Sequence, residues 1–229
     1  MKKHDILFLH VYTIPSNSLI RDYFNDNETE LRDLINKLLE EKNEIFLPLI
    51  YQEISAISVL KVSDSMRTFS YLLTRTEEEN ELDLMKKFIN KIKNKSIDLK
   101  NSNKITISGS NYDFPMINMA LERNRMKSVD LSTMNSSYSF ELKLKAPFRE
   151  YAYSIGLCKY YEMDLERSFF NLDLDYLRQL MLMDSYVIAK IYFLQMYRRT
   201  NWIDDFEKIN EYLNKQFSKN MEFLLSHNI

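Results

Sequence analysis

The sequence predicts an α/β fold, a mixed β-sheet flanked by helices with a helical C-terminal part. Three observations carry this. Short β-rich runs alternate with amphipathic helical stripes through the first 131 residues, a strand runs directly into a tight turn and a helix around Ser108–Asp113, and from Pro147 onward the pattern is helical.

The first element is Ile6–Tyr12, β-rich and closed by a turn at Pro15-Ser16-Asn17. Lys2 and Lys3 ahead of this apolar run imitate a signal peptide. However, His10 and Tyr12 interrupt it and no small-x-small site follows, so a strand is expected. Asn27 and Glu30 form a capping-box pattern ahead of the helical stripe Leu31, Leu34, Ile35, Leu38 and Leu39. Ile54–Val62 and Thr68–Leu73 read as strands, joined by a hairpin across the polar Ser63–Arg67 break. A second box, Thr76 with Glu79, precedes the stripe Leu82, Met85, Phe88, Ile89 and Ile92. Lys104–Ile107 is a short strand, and a helix is expected over about Asp113–Arg123. Val129-Asp130-Leu131 suggests one more short strand, and Asn135–Lys145 reads as a loop. Leu174–Tyr197 is apolar nearly all round, the mark of a helix buried in the core. The last helix, Asn201–Phe223, carries Phe206, Ile209, Leu213, Phe217, Met221 and Leu224 as one stripe, expected to pack against the sheet. Residues 1–200 are thus read as one domain, with 201–229 a C-terminal helix packed on it or extending it.

Composition narrows the function classes. With 45% hydrophobic and 28% charged residues the chain can bury a core. A net charge of −2 argues against a polybasic nucleic-acid binder or a membrane-surface protein, and no apolar run is long enough to cross a membrane. The single cysteine, Cys158, excludes an internal disulfide framework, suits a reducing cytoplasmic compartment and reads as a small buried hydrophobe. His4 and His227 lie in terminal segments and read as solvated. Only two glycines occur, Gly109 and Gly156.

In open α/β sheets, sites form beyond the carboxyl ends of strands. His10 and Tyr12, the Ser108–Asp113 turn, and Asp184 on the buried helix would all come there. Asp184 stands out, because a carboxylate on an apolar face costs several kcal/mol unless paired or metal-bound. It therefore needs a partner. Asp113 precedes Phe114 and a first-turn Pro115, and by itself reads as a helix N-cap.

Taken together these residues suggest a family. Ile6-Leu7-Phe8-Leu9-His10-Val11-Tyr12-Thr13-Ile14-Pro15 follows a strand motif of the form aliphatic-aliphatic-Phe-Asp-Ile-Glu-Thr-x-Pro, with both acids replaced. Phe46-Leu47-Pro48 and Ala56-Ile57-Ser58-Val59 match its next landmarks. Ser108-Gly109-Ser110-Asn111-Tyr112-Asp113-Phe114-Pro115 is similar to Asn-Gly-x-x-Phe-Asp-x-Pro. Val129-Asp130-Leu131, Tyr153-Ser154-Ile155-Gly156-Leu157 and Leu180–Val187 around Asp184 complete the series. In this order and spacing the chain, from Ile6 to Tyr197, resembles the 3′–5′ exonucleases of the ribonuclease-H-like fold that carry a DEDD metal site. Within them it is most similar to the stand-alone exonucleases related to the proofreading domain of family-B DNA polymerases.

The resemblance implies cleavage of a single-stranded DNA or RNA 3′ end by two Mg²⁺ or Mn²⁺ ions about 3.5–4 Å apart, held by hard carboxylate oxygens. It assigns metal-binding roles to Asp113 and Asp184, and substrate contacts to Ser108, Gly109 and Asn111. The other two carboxylate positions hold His10 and Tyr12, and the general-base positions hold Leu180 and Gln179. Neither His10 nor Tyr12 replaces an anionic bridging carboxylate, although neutral imidazole ligates softer ions. Each lost group would cost about 2.7–4 kcal/mol of transition-state stabilisation, a scale that does not add across sites. Three expectations follow: an exonuclease scaffold that has lost hydrolysis and needs no metal, serving as a nucleic-acid or protein binder; an active Mg²⁺- or Mn²⁺-dependent exonuclease with a remodelled site; or an unrelated α/β enzyme using His10.

Overall fold

The computed structural model describes residues 5–63, 67–76, 78–94, 96–98, 102–106, 112–126, 139–141, 148–156, 173–200 and 203–226. Strand β1 (Ile6–Pro15) is the centre of a five-stranded sheet of order β3-β2-β1-β4-β5. On one side β2 (Gln52–Val62) and β3 (Thr68–Thr74) continue it antiparallel; on the other β4 (Asn103–Thr106) and β5 (Ser139–Glu141) run parallel. The sheet is mixed and flanked by helices, as the alternating pattern requires. β1 runs three residues beyond the expected Tyr12, because its register with β2 shifts between Tyr12 and Thr13 and then continues to Pro15↔Gln52.

Alternation along β1 sorts its side chains to two layers. Leu7, Leu9 and Val11 are buried with Leu84, Met85 and Phe88 of α3 (Glu81–Lys93) and Met116, Ile117 and Ala120 of α4 (Asp113–Arg123). Phe8 instead packs with Leu182, Tyr186 and Ile191 of α6 (Leu174–Thr200), and Tyr12 with Leu177, Leu180 and Met181 of the same helix. The long apolar pattern of α6 is thus explained by sheet on one side and α7 (Ile203–Ser226) on the other. The stripe of α7 packs through Ile209, Leu213, Phe217 and Met221 into a cluster made by α6 together with Phe8, Leu60 and Val62 of the sheet.

Several local signals resolve differently. The Pro15-Ser16-Asn17 turn opens a helix, α1 (Asn17–Phe24), with the buried Ser16 hydroxyl accepting from Leu19 N–H. Neither capping box caps its helix. Before α2 (Leu31–Lys42), Asp26 accepts from the N–H groups of Glu28 and Thr29, which holds its carboxyl down at about 2. Before α3, Thr76 and Glu79 close a turn on each other, and Asn80 is the cap, accepting from Asp83 N–H. At α3 the residue nearer the helix offers the better-placed oxygen, whereas α2 starts at Glu30 with no side-chain cap. The expected loop at 135–145 contains β5, which exists because β4 supplies a parallel partner that no local pattern reveals. The hairpin is borne out, Ser63 N–H bonding to Arg67 C=O. A short helix, α5 (Phe148–Ser154), ends at Gly156, whose φ of +73° is the left-handed conformation that glycine adopts without strain. Gly109, Val129–Leu131, Cys158, His4 and His227 lie outside the described residues. No helix among the described residues is long and apolar enough to cross a membrane.

Candidate functional site

Three segments far apart in sequence meet at β1. α4 begins at Asp113, but its carboxylate does not cap the helix; the cap position is Tyr112. Instead Asp113 Oδ1 accepts from Val11 N–H at 2.9 Å and faces His10 Nδ1 at 3.2 Å. Against an ionised carboxylate, which only accepts, Nδ1–H would be the donor of this contact. Asp113 is fully buried, His10 is 17% exposed, and Asp113 Oδ2 has no hydrogen-bond partner among the described residues. The cap reading of Asp113 is therefore corrected: β1 offers stronger donors than the first turn of its own helix.

The second half lies on α6. Asp184 is fully buried, and both oxygens accept from one guanidinium, Arg149 Nε to Oδ1 at 3.0 Å and Nη2 to Oδ2 at 2.7 Å. Tyr12 hydroxyl donates to Oδ2 at 2.5 Å. This fork-on-fork pairing is the partner that a carboxylate on an apolar face requires. The His10 and Tyr12 rings stand edge to face with centroids 4.7 Å apart, so the two carboxylate clusters adjoin. Leu180 is buried against Tyr12 and Ala56, where an apolar side chain transfers no proton. Gln179 is half-buried.

The floor of the site is braced from β2. Gln52 Oε1 accepts from Thr13 Oγ1 at 2.5 Å and from Tyr112 hydroxyl at 3.1 Å, and burial pushes the Tyr112 phenol up. Thr13 and Tyr112 hydroxyls also lie 2.6 Å apart. These bonds tie the end of β1 to the start of α4, fixing His10 and Asp113 relative to each other.

His10, Tyr12, Asp113, Asp184 and Leu180 thus gather in one place, while Ser108, Gly109 and Asn111 lie outside the described residues. Arg149 is the residue sequence reasoning missed. Its only signal was indirect, the demand of Asp184 for a counter-charge, since nothing local in Phe148–Ser154 points 35 residues down the chain. Among the described residues no three His, Cys, Asp or Glu side chains are grouped to hold a metal ion. In comparisons with known proteins, no family model matches the chain, and neither a curated protein nor a solved structure is significantly similar to it.

Proposed function

We propose that this chain is an exonuclease-like domain of the ribonuclease-H-like type that no longer hydrolyses phosphodiesters, and that it serves nucleic-acid metabolism as a binding or scaffold protein. One observation carries the reading. The residues at the four metal-carboxylate positions of the resembling family converge at β1, and an internal cation, Arg149, spans both oxygens of Asp184. The mixed sheet with β1 at its centre, α4 leaving at Asp113 and α6 crossing at Asp184 supports the family reading of the motifs.

A two-metal site does not fit these residues. A divalent ion at Asp184 would have to displace a bidentate guanidinium and a phenol from a carboxylate with no exposure. Guanidinium neutralises the buried charge but stays protonated, so it neither activates a water nor takes up a proton. What the metals did for the fold Arg149 does; what they did for the chemistry has no successor, because Leu180 holds the place of the base. The remodelled-enzyme reading draws on one contact, the His10–Asp113 pair, which has the form of a base held by an acid.

One assay decides between them. Labelled single-stranded DNA and RNA are incubated with the protein in millimolar Mg²⁺ or Mn²⁺, beside metal titration calorimetry. The expected outcome is intact 3′ ends and no heat of metal binding. Shortening of 3′ ends that disappears in both Asp113→Ala and Asp184→Ala overturns the proposal.

A further inference from the structure

Independently of the site, the sheet has an edge whose chemistry selects a partner. Among the described residues β3 is the outermost strand on its side and pairs with β2 alone, in the register Val62↔Thr68 to Ala56↔Thr74. Ser63 N–H bonds to Arg67 C=O and Arg75 N–H to Ser55 C=O, so the odd-numbered residues of β3 turn their backbone groups toward β2. The even-numbered ones therefore face outward. Lys87 Nζ reaches Thr74 C=O at 3.4 Å, and the outward backbone groups of Thr68, Ser70 and Leu72 form a ladder with no strand on it among the described residues.

Sheet edges are commonly blunted by a proline, a bulge or a covering element. β3, Thr-Phe-Ser-Tyr-Leu-Leu-Thr, has no proline, its register with β2 is unbroken, and Phe69 is half exposed. What surrounds it is positive charge. Arg67 and Arg75 bracket the strand, and Lys91 lies 5.7 Å from the Tyr71 ring centroid. Arg75 and Lys87 are neutralised by Glu53 and Glu79, whereas Arg67 and Lys91 have no ion pair among the described residues.

Charge also argues against a second copy. Antiparallel self-pairing along the full strand would set Arg67 opposite Arg75 of the other copy and bring two Lys91 side chains to the two Tyr71 rings, and like charges directly opposed are destabilising. We propose that the outer edge of β3 is a docking site for an extended segment of a partner protein with apolar alternation and an acidic end, which adds to the sheet as a sixth strand. Main-chain bonds to Thr68, Ser70 and Leu72 supply affinity, and Arg67, at the start of the strand, selects the acidic end.

The test uses two capped heptapeptides, Glu-Val-Thr-Val-Thr-Val-Glu and its Lys-ended counterpart, titrated into the full chain with amide exchange read by NMR. The Glu-ended peptide is expected to slow exchange at Thr68, Ser70 and Leu72, and the Lys-ended one to bind about fivefold more weakly, the effect of reversing the charge that faces Arg67. Ser70→Pro removes one outward N–H and no bond to β2, so it should abolish binding in a chain that keeps its β2–β3 amide protection. Arg67→Glu, on an exposed side chain, should invert the preference between peptides. Failure of the Glu-ended peptide to bind, equal binding of both peptides, or protection of the same amides in a peptide-free dimer seen by sedimentation each overturns the proposal.

Discussion

Glu81 and Asp113 are the first residues of neighbouring helices and both are buried, yet the fold treats them in opposite ways. Glu81 Oε1 accepts from Ile54 N–H at 2.8 Å and Arg123 Nη2 at 3.3 Å, and Oε2 accepts from Asn124 Nδ2 at 2.9 Å, with Arg123 Nε 3.1 Å away. The carboxylate thereby ties the start of α3 to β2 and to the end of α4. Asp113 spends one oxygen on β1, and its other oxygen meets no donor among the described residues. An acid kept for architecture is saturated by protein donors. An acid with an orphan oxygen has surroundings that were not shaped around its own hydrogen bonds, and in this Asp113 differs from Glu81. Asp184 lies between the two cases, saturated like Glu81 but by a residue the family motif does not contain.

The sharpest way to break this comparison is at Asp184. Arg149→Ala takes the bidentate guanidinium from a fully buried carboxylate, and breaking a buried pair from one side costs about 3–5 kcal/mol. Urea unfolding of the variant should show a loss of that size. A loss below about 1 kcal/mol, the worth of an exposed pair, would mean that Arg149 is not the counter-charge and that the place stays open to another cation.

The contrast also explains what was legible in the sequence. Elements with a period of their own, such as β1, α3 and α6, were readable from side-chain spacing. Elements held by a distant partner were not, as β5 against β4 shows. The same division runs through the site. His10, Tyr12, Asp113 and Asp184 sit on motif positions and were found together. Arg149 was not, because a guanidinium in the first turn of a short helix looks like any surface arginine. Glu81 escaped for a related reason: an acid in a first turn is ordinarily a solvated complement to the helix dipole, and only its contacts with Ile54 and Asn124 reveal the lock.

Glu81 offers a second, smaller test, with a sign that depends on pH. Burial raises its carboxyl above the ordinary 4.5, outweighing the Ile54 amide and Arg123, which act to lower it. A raised folded-state value means that the stabilising contribution is fully present below 4.5 and declines as pH rises through the folded value. Glu81→Gln, which does not titrate, should cost about 1–3 kcal/mol at pH 4 because its NH₂ cannot accept from a donor. At pH 7 the gap between wild type and variant should be narrower. A gap that widens from pH 4 to pH 7 in parallel urea titrations would show that pairing with Arg123 outweighs burial, making Glu81 a true ion-pair anchor like Asp184.

The smallest effect is expected at Asp113. Asp113→Asn keeps Oδ1 as acceptor for Val11 N–H and His10 Nδ1 and converts only the oxygen that meets no donor. The variant removes a buried negative charge, which is favourable, and leaves an unpaired NH₂, which is not. Each change is on the order of 1–3 kcal/mol and they oppose each other, so the net change in unfolding free energy should fall within about 1 kcal/mol. The same isosteric change at Glu81 has no such compensation, because there both oxygens are in use. If Asp113→Asn instead destabilises by several kcal/mol, the charge itself is at work, which requires a protonated imidazole at His10. The His10–Asp113 pair would then be a second buried ion pair beside that of Arg149 and Asp184.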